Sequence, residues 1–266
     1  MKLALWQTRG FPGDIGGNLA SLEPIAQSAA AAGAELLLLP ELWLSGYNLP
    51  DLIPALAEPA DGPSFSRIAD IARRNNIVIA YGYAERPSPE QPVYNSVQVV
   101  GTAGAPLAHY RKTHLFESME KSLYTPGDVF EPPFSLGEWK IALLICYDVE
   151  FPENVRTHAL AGTDLILVPT ALSPEFTNVP DWFVPARAVE NTLFIAYCNH
   201  CGEENGLLFL GGSKLAGPDG RTIVAAGEGE ALLIADIDLA ARKKAAPTFP
   251  YLRDRRPELY SSLGKD

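Results

Sequence analysis

The chain is poor in cysteine, with only Cys146, Cys198 and Cys201 among its 266 residues. So few thiols, in odd number, exclude a disulfide scaffold and suit a reducing compartment, so a cytoplasmic location is expected. Positive charge is also short: 21 Lys and Arg stand against 32 Asp and Glu, for a formal net charge of −11. That sign is wrong for binding a polyanion, and neither nucleic acid nor an anionic membrane surface is an expected partner. No apolar run approaches the ~18 residues that a membrane span needs. Met1 to Gln7 reads as a strand that runs into polar sequence, not as a secretory leader. No low-complexity stretch or Gly/Ser linker divides the chain, and residues 1–266 read as a single domain long enough for a sizeable core.

What is present is the alternation of an α/β protein, in which short apolar runs bounded by turn residues follow Ala-rich helical stretches. Strands are predicted at Leu3 to Trp6, at Glu35 to Leu39, and over Ile77 to Ala84, Val93 to Gly101 and Pro106 to Arg111, the last three antiparallel or mixed. Further strands are predicted at Lys140 to Ile145, Leu165 to Val168, Leu193 to Cys198 and Leu232 to Ile237. A hairpin over 213–225 turns at Gly217-Pro218-Asp219-Gly220. Helices are predicted over residues 18–32, 64–75 and 181–191, with another beginning beyond Pro152. The segment Gly33 to Glu41 has an echo in Gly162 to Thr170: Gly, polar residue, buried strand, Pro, polar residue. Two similar sheets packed face to face with helices outside, a four-layer α-β-β-α sandwich, would explain it. The tail, about 245–266, carries three prolines and several arginines and is expected to lie across another surface or subunit.

Three polar residues each follow an apolar strand: Glu41, Lys112 and Cys146. Residues just beyond strand ends converge on the ligand crevice in open α/β sheets. A thiol is a strong nucleophile at neutral pH once a base removes its proton, and a buried carboxylate can be that base. An ammonium nearby would stabilise first the thiolate and then an oxyanion. By position alone, each has a plainer reading. The cysteine is a small buried hydrophobe, the lysine a solvated strand end and the glutamate a helix N-terminal charge.

The wording around all three residues narrows the choice. Leu39-Pro40-Glu41-Leu42-Trp43-Leu44-Ser45-Gly46-Tyr47, Tyr110-Arg111-Lys112-Thr113-His114-Leu115 and Cys146-Tyr147-Asp148-Val149-Glu150-Phe151-Pro152-Glu153 together resemble the carbon–nitrogen hydrolase (nitrilase) superfamily. Glu120 to Asp128, Trp182, Ala186 to Asn191, Asn199 and Gly212-Ser213 extend the resemblance over essentially the whole chain. It implies the α-β-β-α sandwich, with Cys146 as nucleophile, Glu41 as general base and Lys112 as oxyanion donor. Glu120 would support Lys112, although alone it reads as a surface partner of Lys121. The Tyr147 backbone N–H would be a second oxyanion donor, and Tyr47, Glu150 and Trp182 would help position substrate. No metal or organic cofactor is implied. The expected assembly is a homodimer or higher homo-oligomer.

Of the activities that this resemblance implies, hydrolysis of a small primary amide to carboxylate and ammonia through a Cys thioester is preferred. N-carbamoyl amine or amino-acid hydrolysis, an omega-amidase-type activity and nitrile hydrolysis remain alternatives, and a catalytically silent scaffold is the non-enzymatic one. Many members of the superfamily carry Arg where this chain has Glu150. With Glu41, Glu120 and Asp148 nearby in sequence or by resemblance, an acidic pocket is therefore expected, favouring neutral to cationic amides unless Glu150 merely pairs with Arg156 or Arg187. Competing motifs are weak. Cys198-Asn199-His200-Cys201 has no second Cys or His pair beside it, the stretch 206–214 lacks the P-loop lysine, and there is no G-x-S-x-G. His109, His114, His158 and His200 follow no metal spacing, and His114 reads as a support beside Lys112.

Overall fold

The computed structural model describes residues 1–262; the remainder of the tail, 263–266, lies outside the described residues. In chain order, β1 (Lys2–Gln7), α1 (Ile15–Ala31), β2 (Leu36–Leu38), α2 (Ile53–Leu56), α3 (Pro63–Asn75), β3 (Val78–Glu85), β4 (Tyr94–Val100) and β5 (Pro106–Arg111) form the first half. There follow α4 (Glu117–Leu123), β6 (Phe134–Leu136), β7 (Trp139–Leu143), α5 (Pro152–Leu160), β8 (Leu165–Thr170), α6 (Val184–Asn191) and β9 (Phe194–Asn199). A hairpin of β10 (Cys201–Glu204) and β11 (Leu207–Leu210) precedes β12 (Lys214–Ala216), β13 (Thr222–Ala225), β14 (Ala231–Asp236) and α7 (Leu239–Ala245).

Two six-stranded sheets run β14-β1-β2-β3-β4-β5 and β13-β12-β9-β8-β7-β6. Each has three parallel strands at its centre, β1-β2-β3 in one and β7-β8-β9 in the other, with antiparallel strands on both sides. The echo in the sequence marks equivalent places: β2 and β8 are the middle parallel strands. Gly33 and Gly162, which precede them, both take a φ of +86°, the left-handed turn that glycine adopts without a Cβ penalty.

Alternation within β1 builds the layers. Leu3 and Leu5 join Leu36, Leu38 and the second sheet's Ile141 and Leu167 in the central core. Ala4 and Trp6 point the other way, with Leu37 and Leu39, onto Leu19 and Leu22 of α1 and Ile68 and Ala72 of α3. Val155 of α5 and Ala188 of α6 pack with the second sheet's core residues. The chain thus has the four-layer sandwich expected of it. Helix α1 starts earlier than its apolar spacing suggests, because the Asp14 side chain accepts from Gly17 N at 2.8 Å and caps it. Residues 181–183 belong to a wide turn over Val179–Phe183 that leads into α6.

The segment after β2 has no regular structure and lies directly on β3. Leu39 N donates to Ala80 O and Leu44 N to Gly82 O, and Leu42 is forced to a φ of +50°. A Cβ on Gly82 would lie 2.4 Å from Leu42 N, 2.6 Å from Pro40 O and 2.8 Å from the Glu41 Cα. All three are main-chain positions that cannot rotate away. Gly82→Ala is therefore expected to destabilise the fold by roughly 1–3 kcal/mol, as overpacking does. By displacing Glu41 it should also cost activity on the order of 10²-fold. Urea denaturation with a parallel assay checks both, and a variant with unaltered turnover would contradict the close-approach argument.

Candidate active site

Four chain segments bring their polar ends together. Glu41 follows β2, Lys112 follows β5, Cys146 follows β7, and Glu120 comes from α4, a helix that hydrophobic patterning had not revealed. Glu41 and Glu120 are fully buried, and Lys112 is 1% exposed. Lys112 Nζ donates to Glu41 Oε1 and Glu120 Oε1, each at 2.7 Å. Glu120 is thus a buried partner of Lys112, not a surface partner of Lys121. Its Oε1 also accepts from Tyr47 OH at 2.8 Å and its Oε2 from Phe116 N at 2.8 Å. Asn95, on β4, donates to Glu41 Oε1 at 2.7 Å.

Glu41 Oε2, by contrast, is buried with no hydrogen-bond partner among the described residues. A buried polar atom left unpaired costs free energy unless something fills the vacancy, and a carboxylate oxygen can accept a proton. Burial pushes the Glu41 carboxyl up to about 7 against the pull of the Lys112 ammonium. Burial opposes the charge on Lys112, but Glu120 and Glu41 outweigh it and hold its pKa well above the ordinary value. The Cys146 thiol is raised well above its ordinary value by burial and then by Glu41, while Lys112 and a hydrogen bond from the Ala171 backbone pull the other way. At rest the thiol is protonated, beside a carboxyl group poised to exchange a proton near neutral pH.

Cys146 takes a φ of +45° at the start of a tight 3₁₀ turn, Cys146–Glu150. A non-glycine residue holds such a conformation only where its surroundings over-determine it, and Asp148 supplies the restraint. Asp148 Oδ2 accepts from Ile145 N at 3.0 Å and Tyr110 OH at 2.9 Å. Its Oδ1 accepts from His114 N at 2.9 Å and Thr113 Oγ1 at 3.0 Å. One carboxylate thus ties the cysteine turn to the segment after Lys112. His114 stacks on Phe151 with ring centroids 4.2 Å apart, beside the turn. Tyr147 packs edge-on against Phe116 and Phe151.

A cavity of about 180 Å³ opens beside these groups, lined in part by Tyr47, Ala171, Met119, Phe176, Glu117 and Glu175. It borders Glu120 through Tyr47 and Cys146 through Ala171, and among the described residues no lysine, arginine or histidine lines it. Glu150 is half-buried, and burial lifts its carboxyl to about 7. Its carboxylate forms no ion pair with Arg156 or Arg187. Arg187 donates instead to the backbone carbonyls of Val149 and Glu150 and to Glu190 Oε1, while Arg156 donates to Glu190 O. Trp182 is 70% exposed and does not line the cavity.

Asn95 and His200 were not legible as site residues, and Asp148 was legible only as an acidic neighbour of the pocket, not as the clamp of the cysteine turn. His200 had drawn notice only for metal spacing. It is 1% exposed and its Nε2 lies 2.7 Å from the Glu41 carbonyl oxygen. A carbonyl can only accept, so the ring, kept neutral by burial down to about 4, carries its proton on Nε2 and braces the peptide that bears Glu41. Cys198 is buried in β9, and its thiol faces the Trp6 and Leu38 carbonyls. Asn199 accepts from Leu172 N at 2.8 Å, and its own N–H donates to Ser213 Oγ at 2.8 Å, behind the site.

A two-sheet sandwich with a cysteine, a lysine and a glutamate at its strand ends, and a second glutamate on a short helix beside them, defines a class of hydrolase. The family model for carbon–nitrogen hydrolases matches residues 2–246, and the chain belongs to that family. It is 46% identical over its whole length to the "Hydrolase in pqqF 5′ region" of Pseudomonas protegens, covering 92% of that protein. It is 36% identical to an (R)-stereoselective amidase from a Pseudomonas species, over 96% of this chain and 92% of that one. Among solved structures, a mutant amidase from Nesterenkonia sp. AN1 superposes with a TM-score of 0.88 at 39% identity, over 98% of this chain and 95% of that one. That protein carries the acetamide moiety of fluoroacetamide covalently added at its active-site cysteine.

The Glu41 carboxyl sets the expected pH dependence. A raised carboxyl is protonated, and useless as a base, below its pKa, so kcat/KM should rise with pH through an apparent value of about 7. Because Lys112 and Cys146 are both held above their ordinary values, the neutral range should show no alkaline loss. A kcat/KM profile flat through the neutral region would contradict this account of Glu41.

Proposed function

We propose that the protein is a single-domain amidase that hydrolyses small primary amides to carboxylate and ammonia. The observation that carries this reading is the free, buried Oε2 of Glu41, in a carboxyl group whose other oxygen is held by Lys112 and Asn95. In the proposed reaction Glu41 takes the Cys146 proton as the sulfur attacks the amide carbonyl carbon. Lys112 and the Tyr147 N–H stabilise the oxyanion that forms. Glu41 then protonates the amide nitrogen, the C–N bond breaks, and ammonia leaves a thioester on Cys146. Water, deprotonated by Glu41, attacks the thioester; the carboxylic acid departs and the proton returns to the sulfur. Every step uses side-chain and backbone groups of this chain and water. Losing one oxyanion donor typically costs ~10²–10³ in rate.

Size and charge narrow the substrate. The cavity's volume of about 180 Å³ is below the roughly 300–1,000 Å³ of sites for drug-sized ligands. With Glu117 and Glu175 on its wall, no cation lining it among the described residues and Glu150 nearby without an ion pair to Arg156 or Arg187, the field disfavours a substrate carboxylate and favours an ammonium. Amino-acid amides and neutral aliphatic amides therefore fit better than ω-amides of dicarboxylic acids. Three buried free thiols support a reducing, cytoplasmic setting, and no helix among the described residues is long and apolar enough to cross a membrane. The exposed Leu160 and Trp182, beside α5 and α6, are apolar surface that a homodimer would cover.

A panel of an amino-acid amide, an aliphatic amide, a dicarboxylic acid monoamide of similar size, an N-carbamoyl compound and a nitrile tests the reading. Ammonia equal to the acid formed, without carbon dioxide, is expected from the first two. The monoamide should have a kcat/KM lower by roughly tenfold, about 1.4 kcal/mol. A preference for the monoamide would discard the charge argument alone. Carbon dioxide release, or ammonia from none of the amides, would contradict the amidase assignment.

A further inference from the structure

Glu204, at the end of β10, is 2% exposed and belongs to none of the blocks that carry the family resemblance. Burial raises its carboxyl, opposed only by backbone hydrogen bonds from Asn48 and Tyr47. Burying a carboxyl with no cation beside it is costly unless backbone donors compensate, and here two do. Glu204 Oε1 accepts from Tyr47 N at 2.7 Å and from Asn48 N at 2.6 Å. The clamp is reciprocal at its rim: Asn48 Nδ2 donates to Asn205 O at 3.1 Å, and Asn205 Nδ2 donates to Asn48 O at 3.0 Å. Gly46 makes room for it. Its φ is +96°, and a Cβ there would lie 3.0 Å from Glu204 Oε1 and 2.9 Å from Leu49 Cδ1.

The loop held in this way leads to the centre of the site. The Tyr47 hydroxyl donates to Glu120 Oε1 at 2.8 Å, and Lys112 Nζ donates to that same oxygen at 2.7 Å. Four groups form one line: Glu204, Tyr47, Glu120 and Lys112. Tyr47 and Asn48 also line the cavity together with Leu207 of the following strand, so the hairpin that bears Glu204 and the loop it grips make one wall. His200 holds the same loop at its other end through the Glu41 carbonyl.

We propose that Glu204 is a positioning residue for the amidase reaction: it fixes the Tyr47 ring so that the phenol hydroxyl stays on Glu120 and Lys112 stays aimed at the developing oxyanion. This rests on the proposed role of Lys112. Only one oxygen of Glu204 is used. Its Oε2 is buried and without a partner among the described residues, so a glutamine can keep the clamp through its carbonyl oxygen.

A double-mutant cycle of Glu204→Ala and Tyr47→Phe, read by ammonia release, tests the line. Each single variant is expected to lower kcat on the order of tenfold with KM changed by less than about twofold, the pattern of an interaction lost in the transition state. The double variant should be no worse than the poorer single variant by more than about twofold, because coupled residues are non-additive. Glu204→Gln should recover most of the loss. Losses that multiply in the double variant, a lowered melting temperature with unchanged kcat, or a Gln variant no better than Ala would each overturn the proposal. If Glu204→Ala does not fold, Glu204→Met, of similar length but without an acceptor, replaces it. If neither folds while Glu204→Gln does, Glu204 is a folding residue and the proposal falls. Failure of the amidase reading is separate, since the unaltered enzyme would then release carbon dioxide or would release ammonia from none of the amides.

Discussion

One ammonium buried between two carboxyl groups is the constraint around which the rest of the structure is arranged. Lys112 keeps its charge away from water only because Glu41 and Glu120 stand 2.7 Å away on either side. Removing one partner from such a cluster typically costs ~3–5 kcal/mol, since the others are left uncompensated. The carboxyl groups beside the lysine have further donors: Asn95 on Glu41, Tyr47 and the Phe116 N–H on Glu120. Glu41 Oε2 has no hydrogen-bond partner among the described residues, and that oxygen is where the chemistry fits. The same burial that makes the cluster expensive raises the glutamate into the range where it can both take and return a proton.

Holding that cluster requires backbone that regular elements cannot provide. Leu42 and Cys146, next to or at two of the reacting groups, both have positive φ, and the conformation of each is enforced from outside its own segment. Gly82 lets the Glu41 segment lie on β3, and His200 grips its carbonyl. Asp148 clamps the cysteine turn to the loop after Lys112. The sheets supply the rigid base. The parallel centres β1-β2-β3 and β7-β8-β9 deliver Glu41 and Cys146 from opposite sides of one shared core, and β5 brings Lys112 from the edge of the first sheet.

How much of this was readable beforehand follows from what kind of information each feature carries. Buried strands announce themselves by apolar runs, and the repeated Gly–strand–Pro plan marked the equivalent strands of both sheets. Glu41, Lys112 and Cys146 were legible because strong local wording surrounds each. Helix α4 was missed because its only buried residue, Glu120, is charged, so no apolar stripe betrays it. Asn95, His200 and Glu204 act through contacts spanning 54, 159 and 157 positions of the chain, which no local pattern encodes. Trp182, read as a substrate neighbour from its setting, is largely exposed, and the lack of an ion pair between Glu150 and Arg187 depended on where Arg187 directs its guanidinium.

The account stands or falls on whether an acyl group passes through Cys146. Intact-mass measurement of the protein acid-quenched during turnover of an amide, followed by peptide mapping, addresses this most directly. The expected result is a mass increase equal to the acyl group, confined to the peptide containing Cys146 and absent from the inactive Cys146→Ala variant, with Cys198 and Cys201 unmodified. Ammonia release by Cys146→Ala above the uncatalysed rate, or an acyl group located on another residue, would contradict it.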